Sequence, residues 1–261
     1  MTQLSGKVVW ITGASGGIGE ALAKTASQRG AKLVLSARRA GELERVRQSC
    51  THPDQIATLP LDLTAFDATA AAKLAASHFG PIDILVNNAG MSQRSQVRNT
   101  AMDVYRRLFE LDFFAPVALT KVLLDSMLAR KSGHVVVISS VVGYVGTPLR
   151  SGYAAAKHAL HGFFDAARAE LWREGMRFTL ACPGFIKTDV SLNAITGTGG
   201  SHGKLDPTIA KGMDPMQCAE KIWRAVERDA EEVFVGKESA LIYIKRWIPA
   251  LASFAVKRAK F

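Results

Sequence analysis

Tyr153 and Lys157 stand four residues apart at the end of the stretch SSVVGYVGTPLRSGYAAAK, which begins with Ser139 and Ser140 at the close of an apolar run. A free phenol titrates at about 10, so at neutral pH it is a poor acid or base until a neighbouring cation stabilises its anion. Residues at i and i+4 share one face of a helix, which puts the Lys157 ammonium beside the Tyr153 phenol. A serine hydroxyl brought alongside would orient the oxygen with which Tyr153 exchanges a proton, and the three would form a general acid–base site. In isolation a Tyr-x-x-x-Lys pair is a common helix-surface feature, so the chemistry depends on the elements that hold these residues.

Those elements are legible as an alternation. Short β-rich runs occupy 7–13, 32–38, 56–62, 83–89, 134–140, 177–183 and 231–236, with helical segments between them. The runs are almost continuously apolar, as expected of strands covered on both faces. GIGEALAKTASQRG carries apolar residues at helical spacing and closes with Gly30, a fitting C-cap. The pattern predicts an α/β fold, with one Rossmann-type domain over residues 1–261 and a doubly wound, seven-stranded parallel sheet. Such sheets bind ligands at their carboxyl edge, where the fifth run delivers its serines. Adjacent strand residues face opposite ways, so only one serine can face the site. In the segment 191–215 Gly, Thr and Ser displace the apolar periodicity, and we expect a substrate lid there.

The first strand runs straight into TGASGGIG, with Gly13, Gly17 and Gly19 at the turn and the start of the helix. Glycines there let the backbone approach a pyrophosphate, whose charge the helix N-terminus favours. A glycine-rich turn between the first strand and a helix of a βα alternation points to a dinucleotide site. An acid at the end of the second strand would select NAD through the ribose hydroxyl. That strand ends SARR, so Ala37 supplies no carboxylate, while Arg38 and Arg39 suit a 2′-phosphate. The cofactor predicted is NADP.

These motifs together resemble those of the short-chain dehydrogenase/reductase family: TGxxxGxG at 12–19, NNAG at 87–90, Ser140 with Tyr153 and Lys157, and Pro183-Gly184 followed by Thr188. The stretch from APVALTK through YAAAKHAL to SLNAITGTGG further resembles members found at endoplasmic-reticulum and peroxisomal membranes of eukaryotes. The resemblance implies a carbonyl–alcohol oxidoreductase in which Ser140 orients the substrate oxygen, Tyr153 exchanges the proton, and Lys157 supports Tyr153 and binds the nicotinamide ribose. The family places its serine thirteen residues before the tyrosine, which selects Ser140 over Ser139. Gly13, Ser15, Gly17, Ile18 and Gly19 are implied to hold the cofactor, with Asp62 at the adenine, Asn88 and Gly90 beneath the dinucleotide, and Thr188 at the carboxamide. Asn87 reads as structural, and Asp62 alternatively as the cap of the helix in LTAFDATAAAKLAA. The resemblance also implies a small carbonyl or alcohol substrate and a homodimer or homotetramer. One position departs: where the family commonly has an asparagine in a water-linked proton path to the lysine, FELDFFAPVALT has Asp112. An ionised aspartate cannot donate a hydrogen bond from its side chain, so Asp112 either alters the relay or pairs with Lys157.

Composition bounds the alternatives. With 48% hydrophobic and 21% charged residues, the chain is an ordinary globular protein rather than a disordered one. Cys50, Cys182 and Cys218 form neither a disulfide framework nor a zinc motif, and His158 and His161 lack a ligand set, so no metal is expected and packing or surface roles are. The N-terminus MTQLSGKVVWITG reads as neither signal peptide nor anchor, and the expected location is cytoplasmic or peripheral at a membrane. The net charge of +10 favours an anionic partner such as a phosphorylated cofactor, acidic lipid or nucleic acid, without choosing among them. A rival reading is an inactive cofactor-sensing or nucleic-acid-binding protein on the same fold. The retained Ser140, Tyr153 and Lys157 speak against the first, and the lack of any nucleic-acid module against the second, so no nucleic acid is expected. Finally, the tail at 239–261 sets Leu241, Ile244, Trp247, Ile248, Leu251 and Phe254 at helical spacing among Lys245, Arg246, Lys257 and Arg258. Such a basic amphipathic segment packs on the core or a subunit, or lies on an anionic membrane and admits lipid-like substrates; Pro249 interrupts it.

Overall fold

The computed structural model describes residues 2–258. Seven strands, β1 (Val8–Thr12), β2 (Lys32–Ala37), β3 (Ile56–Pro60), β4 (Ile84–Asn87), β5 (Gly133–Ile138), β6 (Met176–Pro183) and β7 (Glu232–Val235), form one sheet. Their order is β3-β2-β1-β4-β5-β6-β7, and the pairings are all parallel. The continuous apolar runs have the predicted physical cause. Val9 and Ile11 of β1 enter one core with Leu22, Leu35 and Trp223, while Val8 and Trp10 enter a second with Leu119 and Phe164. Alternate side chains of one strand thus fill two cores, and neither face tolerates a polar residue unless it is paired.

Helices α1 (Gly17–Gln28), α2 (Ala40–Gln48), α3 (Ala68–Phe79), α4 (Met102–Phe109), α5 (Ala115–Ala129) and α6 (Ser151–Leu171) complete the crossovers. Gly30, at φ +74°, lets the chain leave α1 as expected. The cap of α3 is Asp67, whose carboxylate accepts the Ala70 N–H at 3.0 Å, so Asp62 is not that cap. Between α4 and α5 the helix widens into a π-turn over Glu110–Phe114, which carries Asp112. Such turns insert one residue into a helix and recur at functional sites. Strand order reverses between β2-β1 and β4, so the crevice for a ligand opens at the carboxyl ends of β1 and β4.

Residues 191–215 contain one short helix, α7 (Pro207–Ala210), and otherwise irregular chain bridged to Gln93 through Ile195 and to Ile186 through Met213. Asp206 in this segment pairs with Arg94 at 2.8 Å and Arg150 at 3.5 Å. After α8 (Pro215–Glu227) and β7, the tail forms two helices rather than one, α9 (Ala240–Trp247) and α10 (Pro249–Arg258). Ile248 leaves the helical region at φ −134°, as a residue before proline does. That break divides the apolar stripe. Ile242 and Ala252 are buried, whereas Tyr243, Trp247, Ile248, Leu251 and Phe254 are exposed, Trp247 at 79%. Positions 259–261 of the predicted tail lie outside the described residues. No helix among the described residues is long and apolar enough to cross a membrane.

Candidate active site

A cavity of about 690 Å³ runs along the carboxyl edge of the sheet. Arg38, Arg39 and Asp62 line one end, the glycine turn and Asn88–Gly90 the middle, and Ser140, Tyr153 and Lys157 the other side, where Thr188 also contributes. Of the residues named from the sequence, Ser15, Gly13, Gly17 and Ile18 also border it, while Gly19 and Asp112 do not. Gly19 stands behind the turn, where a Cβ would collide with the Gly13 carbonyl and come within 2.5 Å of Asn88 Nδ2. Its lack of a side chain permits close packing of helix against strand rather than contact with a ligand.

The turn is held from below. Asn88 Nδ2 donates to the carbonyls of Thr12 at 3.0 Å and Gly13 at 3.1 Å, and Thr12 Oγ1 accepts the Asn88 and Ala89 N–H groups. Gly17 opens α1 at φ +57°, with Thr188 packed on it, and no side chain caps the helix. The first-turn N–H groups are therefore presented to the cavity, as a pyrophosphate requires. At the end of the cavity lined by Arg38, Arg39 reaches Ser15 Oγ at 3.4 Å and both arginines are exposed. Asp62 accepts from Thr64 N–H and hydroxyl, which hold its carboxyl below the usual range together with the charges of Arg38 and Arg107. Arg107 was not singled out in the sequence; it lines the cavity from α4.

On the other side of the cavity, Ser140 follows β5 and Tyr153 and Lys157 project from consecutive turns of α6. Ser140 Oγ accepts the Val142 N–H at 3.1 Å and lies close enough to the phenol oxygen to favour its anion. Ser139 faces the other way and bonds His161, as alternation requires. Lys157, 4% exposed, donates from Nζ to the Ile138 carbonyl at 3.0 Å and lies 5.7 Å from the centre of the Tyr153 ring. The net direction for the phenol is opposite to the one expected from a neighbouring lysine alone. Burial and then the Asp112 charge push the Tyr153 phenol up to about 12, against the influence of Ser140, Arg150 and Arg94. Burial also lowers the Lys157 pKa, with Asp112 opposing.

Asp112 is wholly buried behind Gly90. Its Oδ1 accepts the Met91 N–H at 2.9 Å, and Oδ2 has no hydrogen-bond partner. Burial pushes its carboxyl up to about 6, although Lys157 and the Met91 N–H oppose this. A Cβ on Gly90 would sit 2.5 Å from Asp112 Oδ1 and 3.4 Å from Lys157 Nζ, so the absence of a side chain there leaves room for both groups. Asp112 thus acts on Lys157 and Tyr153 through its field. Arg150, missed in the sequence although it stands three residues before Tyr153, is buried in the cavity wall and donates to Thr147 Oγ1 at 3.2 Å. An arginine beside an apolar helix start was the available signal.

Residues 7–197 match the family model described as short chain dehydrogenase. The chain belongs to this family and is an oxidoreductase. It is 44% identical to a dehydrogenase/reductase SDR family protein 7-like of Anopheles gambiae, over 98% of this chain and 84% of that protein. It is 41% identical to the human dehydrogenase/reductase SDR family member 7, over 96% of this chain and 76% of that protein. A solved short-chain dehydrogenase from Streptomyces avermitilis superposes with a TM-score of 0.82 at 28% identity, covering 98% of this chain and 97% of that one. The family assignment and the Rossmann architecture therefore agree with the order of motifs, and the member 7 proteins are the subgroup to which the chain is similar.

Proposed function

We propose that the chain interconverts a ketone or aldehyde and an alcohol with NADP(H), acting on bulky apolar substrates. The observation that carries this reading is the convergence on one cavity of Ser140, Tyr153 and Lys157 with an uncapped glycine turn and two arginines. The glycine turn and the first-turn N–H groups of α1 would hold the pyrophosphate, Lys157 the nicotinamide ribose, Thr188 the carboxamide, and Arg38 with Arg39 the 2′-phosphate. The nicotinamide supplies or accepts the hydride. Ser140 orients the substrate oxygen, and the Tyr153 phenol gives that oxygen its proton in reduction or removes it in oxidation. With its pKa at about 12 the phenol is protonated at neutral pH, which suits reduction.

Incubating the protein with NADPH and a panel of ketones, and following cofactor oxidation, tests the reaction; no turnover with any of them would overturn it. Arg38→Ala tests the cofactor. Charge-assisted hydrogen bonds contribute about 1.5–3 kcal/mol, so the variant should lose roughly tenfold or more of NADPH affinity while NADH affinity changes little. Unchanged discrimination in fluorescence titrations would remove the arginine from the cofactor argument.

The far end of the cavity supports an apolar substrate, since Val142, Val145, Ile195, Ile209, Leu241 and Val256 line it. Residues 191–215 act in this reading as the lid, through Ile195 and Ile209, and α9 and α10 form the outer wall. Their opposite face, with Tyr243, Trp247, Ile248, Leu251 and Phe254 exposed beside Lys245, Arg246, Lys257 and Arg258, suits an anionic bilayer surface. A protein so placed is peripheral at a membrane on its cytoplasmic side, and draws substrate from the lipid. Truncation would strip the cavity wall, so the sharper test replaces exposed residues. Trp247→Glu with Phe254→Glu should abolish flotation with anionic liposomes while reduction of a soluble ketone continues. Equal flotation of variant and parent, or none by either, would sink the membrane reading. Self-association as a homodimer or homotetramer belongs to the same proposal, supported by Phe114, which is 52% exposed and packs on Phe113 at the surface.

A further inference from the structure

Helix α6 meets the end of β5 through polar contacts spaced one turn apart. Tyr153 approaches Ser140, Lys157 donates to the Ile138 carbonyl, and His161 Nε2 lies 2.8 Å from Ser139 Oγ. The proposed reaction uses the first two. The third is an expense without an evident return, because a buried imidazole is costly unless its nitrogens are satisfied, and its helix neighbours Leu160 and Phe164 show that apolar residues fit this face. His161 is 8% exposed and Ser139 3%.

We propose that His161 is a positioning residue for the reacting pair, bracing Ser140 and Tyr153 together through Ser139 and a Glu232–Tyr144 clamp. The inference rests on the assignment of those two residues as the proton-handling pair. Two elements join the imidazole to the reacting pair. One is α6, which carries both His161 and Tyr153. The other is the turn Val141–Gly143, which supplies the Val142 N–H to Ser140 Oγ. A Cβ at Gly143 would stand 2.7 Å from Ser139 Oγ and 2.8 Å from His161 Nε2, so the turn rests directly on that hydrogen bond. The residue that ends the turn closes the clamp. The Tyr144 ring packs against His161 at a tilt of 58° with centroids 4.3 Å apart, and its hydroxyl donates to the Glu232 carboxylate. Glu232 Oε1 in turn stands 3.8 Å from His161 Nδ1, which makes no hydrogen bond of its own. His161 and then Tyr144 hold the Glu232 carboxyl below the usual range, against burial. The same Tyr144 accepts Lys245 Nζ at its carbonyl, so the brace also reaches α9 of the cavity wall.

A displacement of about 1 Å in a reacting group can cost roughly a hundredfold in rate. The glycine turn and Arg38 lie at other strand ends, so loosening this brace should act on turnover and spare cofactor affinity. His161→Leu keeps the bulk and removes the hydrogen bond; its kcat for ketone reduction should fall about ten- to hundredfold, with NADPH Kd and ketone KM within about threefold of the parent. His161→Gln, whose amide can still reach Ser139 Oγ, should recover most of the loss. Ser139→Ala removes the partner from the strand side without burdening the helix, and should reproduce the kcat defect. Combined with His161→Leu it should add little, because the two substitutions break one interaction. Unchanged kcat in His161→Leu or in Ser139→Ala would overturn the proposal. So would equal losses in the Leu and Gln variants that track a fall in Tm, since packing alone would then explain them. Should His161→Leu fail to fold, Ser139→Ala and His161→Gln decide the matter by the same kcat criterion. Tyr153→Phe separates the two levels of argument. If it stays active the acid–base assignment itself falls, whereas a dead Tyr153→Phe beside a fully active Ser139→Ala removes only the brace.

Discussion

Tyr153→Phe is expected to lower turnover by at least about a hundredfold, the usual scale for a positioned acid, while NADPH affinity stays within about twofold. The ring itself has a structural part to play: Lys157 Nζ lies 5.7 Å from its centre, and phenylalanine preserves that contact. What the substitution removes is the proton-bearing oxygen beside Ser140. Burial and Asp112 hold that phenol at about 12, so it carries its proton throughout the neutral range. Ketone reduction by the parent should therefore vary little between about pH 6 and 8 on account of this group, whereas alcohol oxidation, which needs the phenolate, should rise with pH. Single-turnover measurement at saturating NADPH checks the prediction, because it separates chemistry from cofactor release. A Phe variant with the parent's single-turnover rate would refute Tyr153 as the proton donor.

The parts of this site that the sequence disclosed share a physical cause. Strands buried on both faces must be apolar throughout, so β1 and β5 announced themselves, and with them the strand ends at Gly13 and Ser140. Tyr153 and Lys157 were legible because helical spacing is local. The less legible features depend on contacts distant in the chain. His161 pairs with Ser139, 22 residues away, and faces Glu232 of β7, so nothing near it in the sequence distinguishes it from a surface histidine. The tail is a further case: Pro249 announced the break that falls at Ile248, but nothing in the spacing told that Ile242 and Ala252 would turn inward while Trp247, Leu251 and Phe254 face out. Asp62 and Asp67 both precede α3, and only the hydrogen bond to the Ala70 N–H tells which one caps it. The raised phenol pKa was also out of reach, because it arises from burial and from Asp112, which stands 41 positions before Tyr153.

Asp112→Asn should stabilise the protein at neutral pH and leave it little changed near pH 4. The carboxyl is wholly buried, one of its oxygens has no hydrogen-bond partner, and its folded pKa is pushed up to about 6 from the ordinary 3.8 of an aspartate. For a group whose pKa is raised by folding, the contribution to stability is intact below the unfolded value and is lost as pH rises through the folded one. The parent should therefore lose ground to the Asn variant between about pH 4 and 6, by on the order of 1–3 kcal/mol, and the difference should level off above that window. Asparagine keeps an oxygen for the Met91 N–H, so the hydrogen bond at 2.9 Å survives the exchange. The kinetic sign follows from the same charge. Ionised Asp112 raises the Tyr153 pKa, so its removal eases formation of the phenolate and should move the rising limb of alcohol oxidation to lower pH. Denaturant unfolding at a series of pH values, paired with pH–rate profiles for both directions, reads the two effects independently. Parallel stability curves together with superimposable rate profiles would make Asp112 a bystander; a limb displaced to higher pH would reverse the sign of the coupling and with it the electrostatic account of Tyr153.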